Sequence, residues 1–250
     1  MQGSGGRGSG GGKVASGTLL RHCGTVSSTR PRLTVFDLDG TLTRRDTSLA
    51  FLQAVGGSGT LLRLLPVGIR GALERMGRSA PSLRAARRGP ASWGDWEARV
   101  HEAAARTVLA GRRWEDLQAV ARRFAREGIE PLLRPEMVAR LEAHRTQGDV
   151  VVLVTASLEV SVEAWAEERG FHHALGTRLE MDATGRATGH FSGAYCWGRE
   201  KVRRLEEEVG SIVGWHVTAY GDSAGDGPLL ERADRPVWVD KGGPREGGIS

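Results

Sequence analysis

The residues best suited to chemistry in this chain are four aspartates arranged as two pairs. Asp37 and Asp39 stand in Asp37-Leu38-Asp39-Gly40-Thr41, directly after the apolar run Leu33-Thr34-Val35-Phe36. Asp222 and Asp226 stand in Gly221-Asp222-Ser223-Ala224-Gly225-Asp226, directly after Val217-Thr218-Ala219-Tyr220. In an extended strand, residues i and i+2 point to the same side, so Asp37 and Asp39 are expected to project together. Carboxylates so placed repel each other unless one is protonated or a cation sits between them. Hard oxygen donors clustered in this way suit Mg²⁺. Aspartates also serve turns and helix N-caps. That use explains one pair comfortably, but not two pairs that each follow a strand.

The elements that must hold these residues can be read from the apolar pattern. Besides the two runs above, Val150-Val151-Val152-Leu153-Val154 ends at Thr155, and Pro236-Val237-Trp238-Val239 is a further candidate strand. Continuous apolar runs without alternation fit strands buried on both faces of a parallel sheet. Helical periods lie between them at 134–147, 158–169, 199–209 and 228–233. This alternation predicts an α/β fold, a doubly wound parallel sheet of Rossmann type, in which ligands bind beyond the strand C-termini. Residues 46–133 break the alternation with helical periods at 47–55, 61–76, 93–109 and 114–127, which predicts an inserted α-helical cap. The core is then 31–45 together with 134–240. A looser alternation over 177–193 predicts a β-hairpin flap.

Both ends read as tails. Residues 1–30 contain nine glycines and no hydrophobic period, so a disordered segment is expected, and 241–250 is expected to be a second flexible tail. The pair Gly12-Lys13 does not complete a phosphate loop, because Arg7 stands where a glycine is needed and Val14 where Ser or Thr is needed.

Composition excludes several classes. None of the 250 residues belongs to an apolar run of the roughly 18–20 needed to span a bilayer. The two cysteines, Cys23 and Cys196, cannot form a disulfide framework. The N-terminus lacks an apolar signal core, so a cytoplasmic, reducing setting is expected. The net charge is +5, yet only Lys13, Lys201 and Lys241 are lysine among 35 basic residues. Residues 44–134 carry 17 arginines against nine acidic residues. That balance permits an anionic partner without demanding one. A nucleic-acid-binding protein would need neither acidic pair, and no such partner is expected.

Four motifs in order, Asp37-Leu38-Asp39-Gly40-Thr41, Thr155, Lys201 and Gly221 to Asp226, resemble those of haloacid dehalogenase superfamily hydrolases. The closest resemblance is to the phosphoserine-phosphatase-like subfamily IB, over roughly residues 33–240. The resemblance implies a phosphatase acting on a small-molecule phosphomonoester through an aspartyl-phosphate, with Asp37 as nucleophile and Asp39 as general acid and base. It further implies Mg²⁺ held by the Asp37 carboxylate, the Asp39 backbone carbonyl and Asp222, with Asp226 ordering that shell. Lys201, the Thr155 hydroxyl and the Ala156 N–H would bind the phosphate. Transfer of the phosphoryl group to another alcohol would keep every motif.

Departures from the amino-acid phosphatases bear on the substrate. Thr155-Ala156-Ser157 replaces their usual Ser-Gly-Gly, and Gly225 stands where they carry Asn, so phosphoserine is not the expected substrate. Ser157 reads chiefly as the N-cap of the following helix. Asp46 falls where those enzymes carry a substrate-facing glutamate; it could bind an ammonium or hydroxyl group, or cap the helix at Thr47. The stretch Leu61 to Arg70 is basic and amphipathic. It lies where some relatives, phosphatidylglycerol phosphate phosphatases, carry an apolar cap segment, and membrane contact is a lesser expectation. Trp93 and Trp96 read as cap-core packing, or as a stacking surface for an aromatic substrate.

Overall fold

A computed structural model describes residues 30–76 and 91–246, with the backbone alone at 76 and 91–93. The glycine-rich segment 1–29, with Gly12-Lys13 and Cys23, lies outside the described residues, as do 247–250 and the Trp93 side chain.

The predicted apolar runs form the middle of a six-stranded sheet. In chain order its strands are β1 (Arg32–Phe36), β2 (Val150–Leu158), β3 (His173–Thr177), β6 (His216–Gly221), β7 (Arg235–Asp240) and β8 (Gly243–Glu246), arranged β3-β2-β1-β6-β7-β8. All neighbours are parallel except β7 and β8. β1 is central, pairing Leu33 with both Val150 and Val217. A separate antiparallel hairpin, β4 (Leu179–Met181) with β5 (Ala187–Phe191), matches the predicted flap. The stretch expected as a loose C-terminal tail instead turns at Gly243 and pairs β8 along β7. Four register pairs, from Asp240 with Gly243 to Val237 with Glu246, join this segment to the sheet edge.

Side chains alternate between the two faces, as strands require. Leu33, Val35, Val152, Val154 and Val217 enter one core layer with α7 (Arg199–Val209) and α8 (Gly227–Leu230). Phe36, Val151, Leu153 and Tyr220 enter the other, with α5 (Pro135–Thr146) and α6 (Glu159–Glu168). That second layer is continuous with the insert, through Phe51, Leu117 and Phe124. The described part of the insert is helical: α1 (Ser48–Gly56), α2 (Thr60–Met76), α3 (Ala91–Leu109) and α4 (Trp114–Phe124). Its entry and exit segments run antiparallel, with Arg44 N–H donating to Leu132 O at 2.8 Å and Arg134 N–H to Leu42 O at 2.8 Å. The two linkers thereby brace each other where the insert meets the sheet.

One helix face of the insert is apolar and exposed. Leu61, Leu62, Leu65, Ile69 and Leu73 of α2 are exposed. Among the described residues, no helix is long and apolar enough to cross a membrane.

Candidate active site

The site forms where β1, β2 and β6 end. After Phe36 the chain leaves the sheet and winds through one wide turn, closed by Thr43 N–H donating to Leu38 O at 2.9 Å. Gly40 makes the turn possible in two ways. Its φ of 89° lies in the left-handed region, and a Cβ there would overlap the Asp222 carboxylate. The turn also sets the first pair of aspartates. The strand pairing ends at Phe36 while Asp37 is still extended (φ −79°, ψ 161°); Asp37 and Asp39 both line one cavity, as expected, but each has its own partners.

Asp37 is buried, and its Oδ1 accepts from Lys201 Nζ at 2.7 Å. Lys201, on the first turn of α7, also donates to Asp226 Oδ1 at 2.6 Å. Burial alone would discharge this lysine, but Asp226 and Asp37 hold it charged, above its ordinary range. Burial, then the charge of Asp226, push the Asp37 carboxyl well above the ordinary range, against the pull of Lys201. Asp226 has no exposed surface. Its Oδ2 accepts from the backbone N–H groups of Asp222 and Ser223 and from Ser223 Oγ. With both oxygens so engaged, Asp226 organises the loop and Lys201. Desolvation in the cleft and the charge of Asp226 raise Asp222 to about 7, although one edge of it faces solvent.

Asp39 is held quite differently. Its Oδ1 accepts from Thr47 N–H and Thr47 Oγ1, both at 2.7 Å, and its Oδ2 from Ser157 Oγ at 2.5 Å. Burial and the charge of Asp46 raise it to about 6, a shift restrained by those hydrogen bonds. A carboxyl poised near neutrality can both give and take a proton.

The strand β2 runs past Thr155 to Leu158, and its pairing with β3 shifts register between Val154 and Leu158. Such a bulge re-aims side chains. Here Thr155, Ala156 and Ser157 all line the cavity. Ser157 N–H donates to Thr155 Oγ1 at 3.1 Å, which leaves the Thr155 hydroxyl proton available to a ligand. Ser157 therefore belongs to the site and is not a helix cap. The sequence signal for it was its place two residues after Thr155, obscured by the helical pattern that follows. Asp46 accepts from Ser48 N–H at 2.8 Å, so it does cap the start of α1, while it also lines the cavity.

Asp37, Asp39, Asp46, Thr155, Ala156 and Lys201 thus surround one cavity of about 280 Å³. No motif marks Trp197, Tyr195, Glu97 or His101, which stand on its walls. Trp197 explains the departure at Gly225. A Cβ on Gly225 would lie 2.6 Å from Trp197 Nε1, and one on Gly94 of α3 would lie 2.7 Å from Trp197 Cε3. The indole rests against one glycine of the sheet domain and one of the insert.

The carboxylates fit a divalent cation. Among the described residues, oxygen atoms of Asp37, Asp222 and Asp226 all lie within 4.8 Å of one another. Three carboxylates against one lysine leave an excess of negative charge, which adds to burial in raising Asp37 and Asp222. Hard oxygen donors in such a deficit match Mg²⁺.

Comparison with known proteins agrees with this fold. Protein CicA of Caulobacter vibrioides is 36% identical over 207 residues, covering 82% of this chain and 84% of that one. A protein of unknown function from Bordetella pertussis Tohama I is 27% identical, with a TM-score of 0.59 over 83% of this chain and 89% of that one. A phosphoserine phosphatase carrying a phospho-aspartyl intermediate analogue shares the fold, with a TM-score of 0.51 and 18% identity over 82% of this chain and 84% of that one. The family model described as haloacid dehalogenase-like hydrolase matches residues 34–231, from β1 through α8 and with all four aspartates inside it. The chain belongs to the haloacid dehalogenase-like hydrolase family.

Proposed function

We propose that this hydrolase is a Mg²⁺-dependent phosphatase that cleaves a small-molecule phosphomonoester through an aspartyl-phosphate on Asp37. The observation that carries the reading is the unlike treatment of two neighbouring carboxylates. Asp37 is gripped by a buried ammonium at 2.7 Å, whereas Asp39 is held only by neutral donors and is raised to about 6 by burial and the charge of Asp46. Environments that push two carboxyls to different tasks are how acid, base and nucleophile are assigned. The phosphoserine phosphatase of like fold, with its phospho-aspartyl intermediate analogue, supports the same chemistry here.

In the first step an Asp37 oxygen forms a bond to phosphorus as the bond from phosphorus to the leaving oxygen breaks. Asp39, protonated, gives its proton to that oxygen, and the alcohol departs. In the second step Asp39, now a carboxylate, takes a proton from water as the water oxygen attacks phosphorus. The acyl-phosphate bond breaks, releasing inorganic phosphate and restoring Asp37. Lys201 neutralises Asp37 so that an anion can approach it; two like charges at about 4 Å cost roughly 4 kcal/mol at an effective dielectric near 20. The Thr155 hydroxyl and the Ala156 N–H donate to phosphate oxygens, and Ser157 and Thr47 hold Asp39 in place. Mg²⁺, held by Asp37, the Asp39 backbone carbonyl and Asp222 with Asp226 behind them, would supply the positive charge that offsets the phosphate.

The test is phosphate release from p-nitrophenyl phosphate with Mg²⁺. Release is expected to vanish with EDTA and in Asp37→Asn; release that survives Asp37→Asn would sink the reading.

A second reading, a membrane-borne phosphate ester, is favoured by the exposed apolar face of α2, Leu61 to Leu73. Cosedimentation with anionic lipid vesicles, lost in Leu65→Glu, is its expected result. A protein that stays in the supernatant contradicts it.

A further inference from the structure

The walls of the cavity away from the phosphate side have a chemistry of their own. Asp46 and Glu97 bring negative charge, and Trp96, Tyr195, Trp197 and His101 bring rings. Lys201 is the only lysine or arginine among the described residues lining the cavity, and it is committed to Asp37 and Asp226. Glu97 makes no hydrogen bond or ion pair among the described residues. Neither does His101, whose ring stacks at a tilt 5.4 Å from that of Tyr195.

These groups feel one another. Burial and then Asp46 raise the Glu97 carboxyl, with Arg75 of α2 pulling the other way from over the Trp96 ring at 5.9 Å. Burial keeps His101 below its ordinary range, so the imidazole is neutral and cannot balance the two carboxyls. The group does not make a second metal site. Among the described residues, the only group of three or more whose ligand atoms lie within 4.8 Å of one another is Asp37, Asp222 and Asp226.

We infer that the alcohol half of the substrate carries a positively charged amine and no carboxylate, and that Glu97 and the aromatic rings of the wall select it. An ammonium is drawn to carboxylates and to ring faces alike. A carboxylate, such as that of phosphoserine, would meet Asp46 and Glu97, with Lys201, the one cation on the described lining, already held by Asp37 and Asp226. The inference rests on the phosphatase reading above, and it deepens that reading from a reaction to a class of substrate.

The test sets 2-aminoethyl phosphate and choline phosphate against glycerol 3-phosphate and phosphoserine, with p-nitrophenyl phosphate reporting the chemistry alone. The amine esters are expected to exceed glycerol 3-phosphate about tenfold in kcat/KM, and Glu97→Gln to remove most of that ratio. If p-nitrophenyl phosphate is hydrolysed and the amine esters hold no advantage, the inference fails and the phosphatase reading stands. If no ester is hydrolysed in an Asp37-dependent way, the phosphatase reading fails. Calorimetry on the Asp37→Asn protein with Mg²⁺ still reads the wall. Binding of 2-aminoethyl phosphate about tenfold tighter than glycerol 3-phosphate supports the inference, and equal binding overturns it.

Discussion

Two buried polar clusters flank the same sheet, and they are balanced in opposite ways. At the start of β2, Asp149 accepts from Thr34 Oγ1 at 2.9 Å and lies 2.6 Å from His144 Nδ1 and 2.5 Å from Arg32 Nε. His144 Nε2 meets the Tyr220 hydroxyl at 2.9 Å, and the Tyr220 ring stacks on Phe36 at 4.4 Å. One carboxylate there faces a hydroxyl and an imidazole on Oδ2 and a guanidinium beside Oδ1. At the strand C-termini, three carboxylates share one lysine. The clusters even touch through one residue, since the Tyr220 backbone oxygen accepts from Asp37 N–H at 3.0 Å. The lesson is that a buried charge is not by itself a functional signal. Balanced, it braces the fold; left in deficit, it is ready to receive a cation and an anionic ester.

The sharpest break of the comparison is a pair of substitutions. Asp37→Asn is expected to lower kcat by at least about 10³-fold without lowering the melting temperature of the metal-free protein. Asp149→Ala should do the reverse, costing about 3 kcal/mol by stranding His144 and Arg32, with kcat per folded molecule unchanged. Chemical denaturation and initial rates on both variants check this. A loss of activity in Asp149→Ala that exceeds its loss of folded protein would erase the distinction.

A smaller effect concerns pH. Asp39 and Asp222 rise from 3.8 to about 6 and about 7 in the fold. A carboxyl raised by folding contributes stability while protonated and loses it as pH climbs through its folded value. The metal-free protein should therefore melt lower at pH 8 than at pH 5, with most of the loss between about 4 and 7. Mg²⁺ should flatten that slope, because it takes over the role of the protons. Scanning calorimetry with and without Mg²⁺ measures it, and a metal-free melting temperature that rises over this window contradicts the charge deficit.

The finest test is Ser157→Ala. The Ser157 hydroxyl lowers Asp39 by donating to it, so its removal should move the limb of the pH–rate profile set by Asp39 to higher pH. A fall in kcat of about tenfold should accompany it. An unshifted profile would make Ser157 a packing residue only.

Much of this was legible in the sequence, for a definite reason. The central strands are unbroken apolar runs such as Val150 to Val154, and the chemistry sits at their ends, so strand and site announced each other. What escaped was chemistry fixed by contacts distant in sequence. β3 is five residues, His173–Thr177, with His, Gly and Thr among them, and only its place beside β2 makes it a strand. Ser157 was masked because the β2 bulge carries it into the cavity before the helix begins. Trp197 and Glu97 have no motif at all; they meet at the cavity because the insert folds back over the strand ends. Asp46 was read in two ways, and its backbone cap at Ser48 and its place on the cavity wall are compatible with both.

The most direct measurement is acid quenching of the enzyme with Mg²⁺ during turnover of a phosphomonoester, followed by mass spectrometry of its peptides. The account predicts one added phosphoryl group on the peptide containing Asp37, absent in Asp37→Asn and prolonged in Asp39→Asn with p-nitrophenyl phosphate, whose leaving group needs no proton. A phosphoryl group found on another residue, or turnover of the ester with none on Asp37 at any quench time, would contradict it.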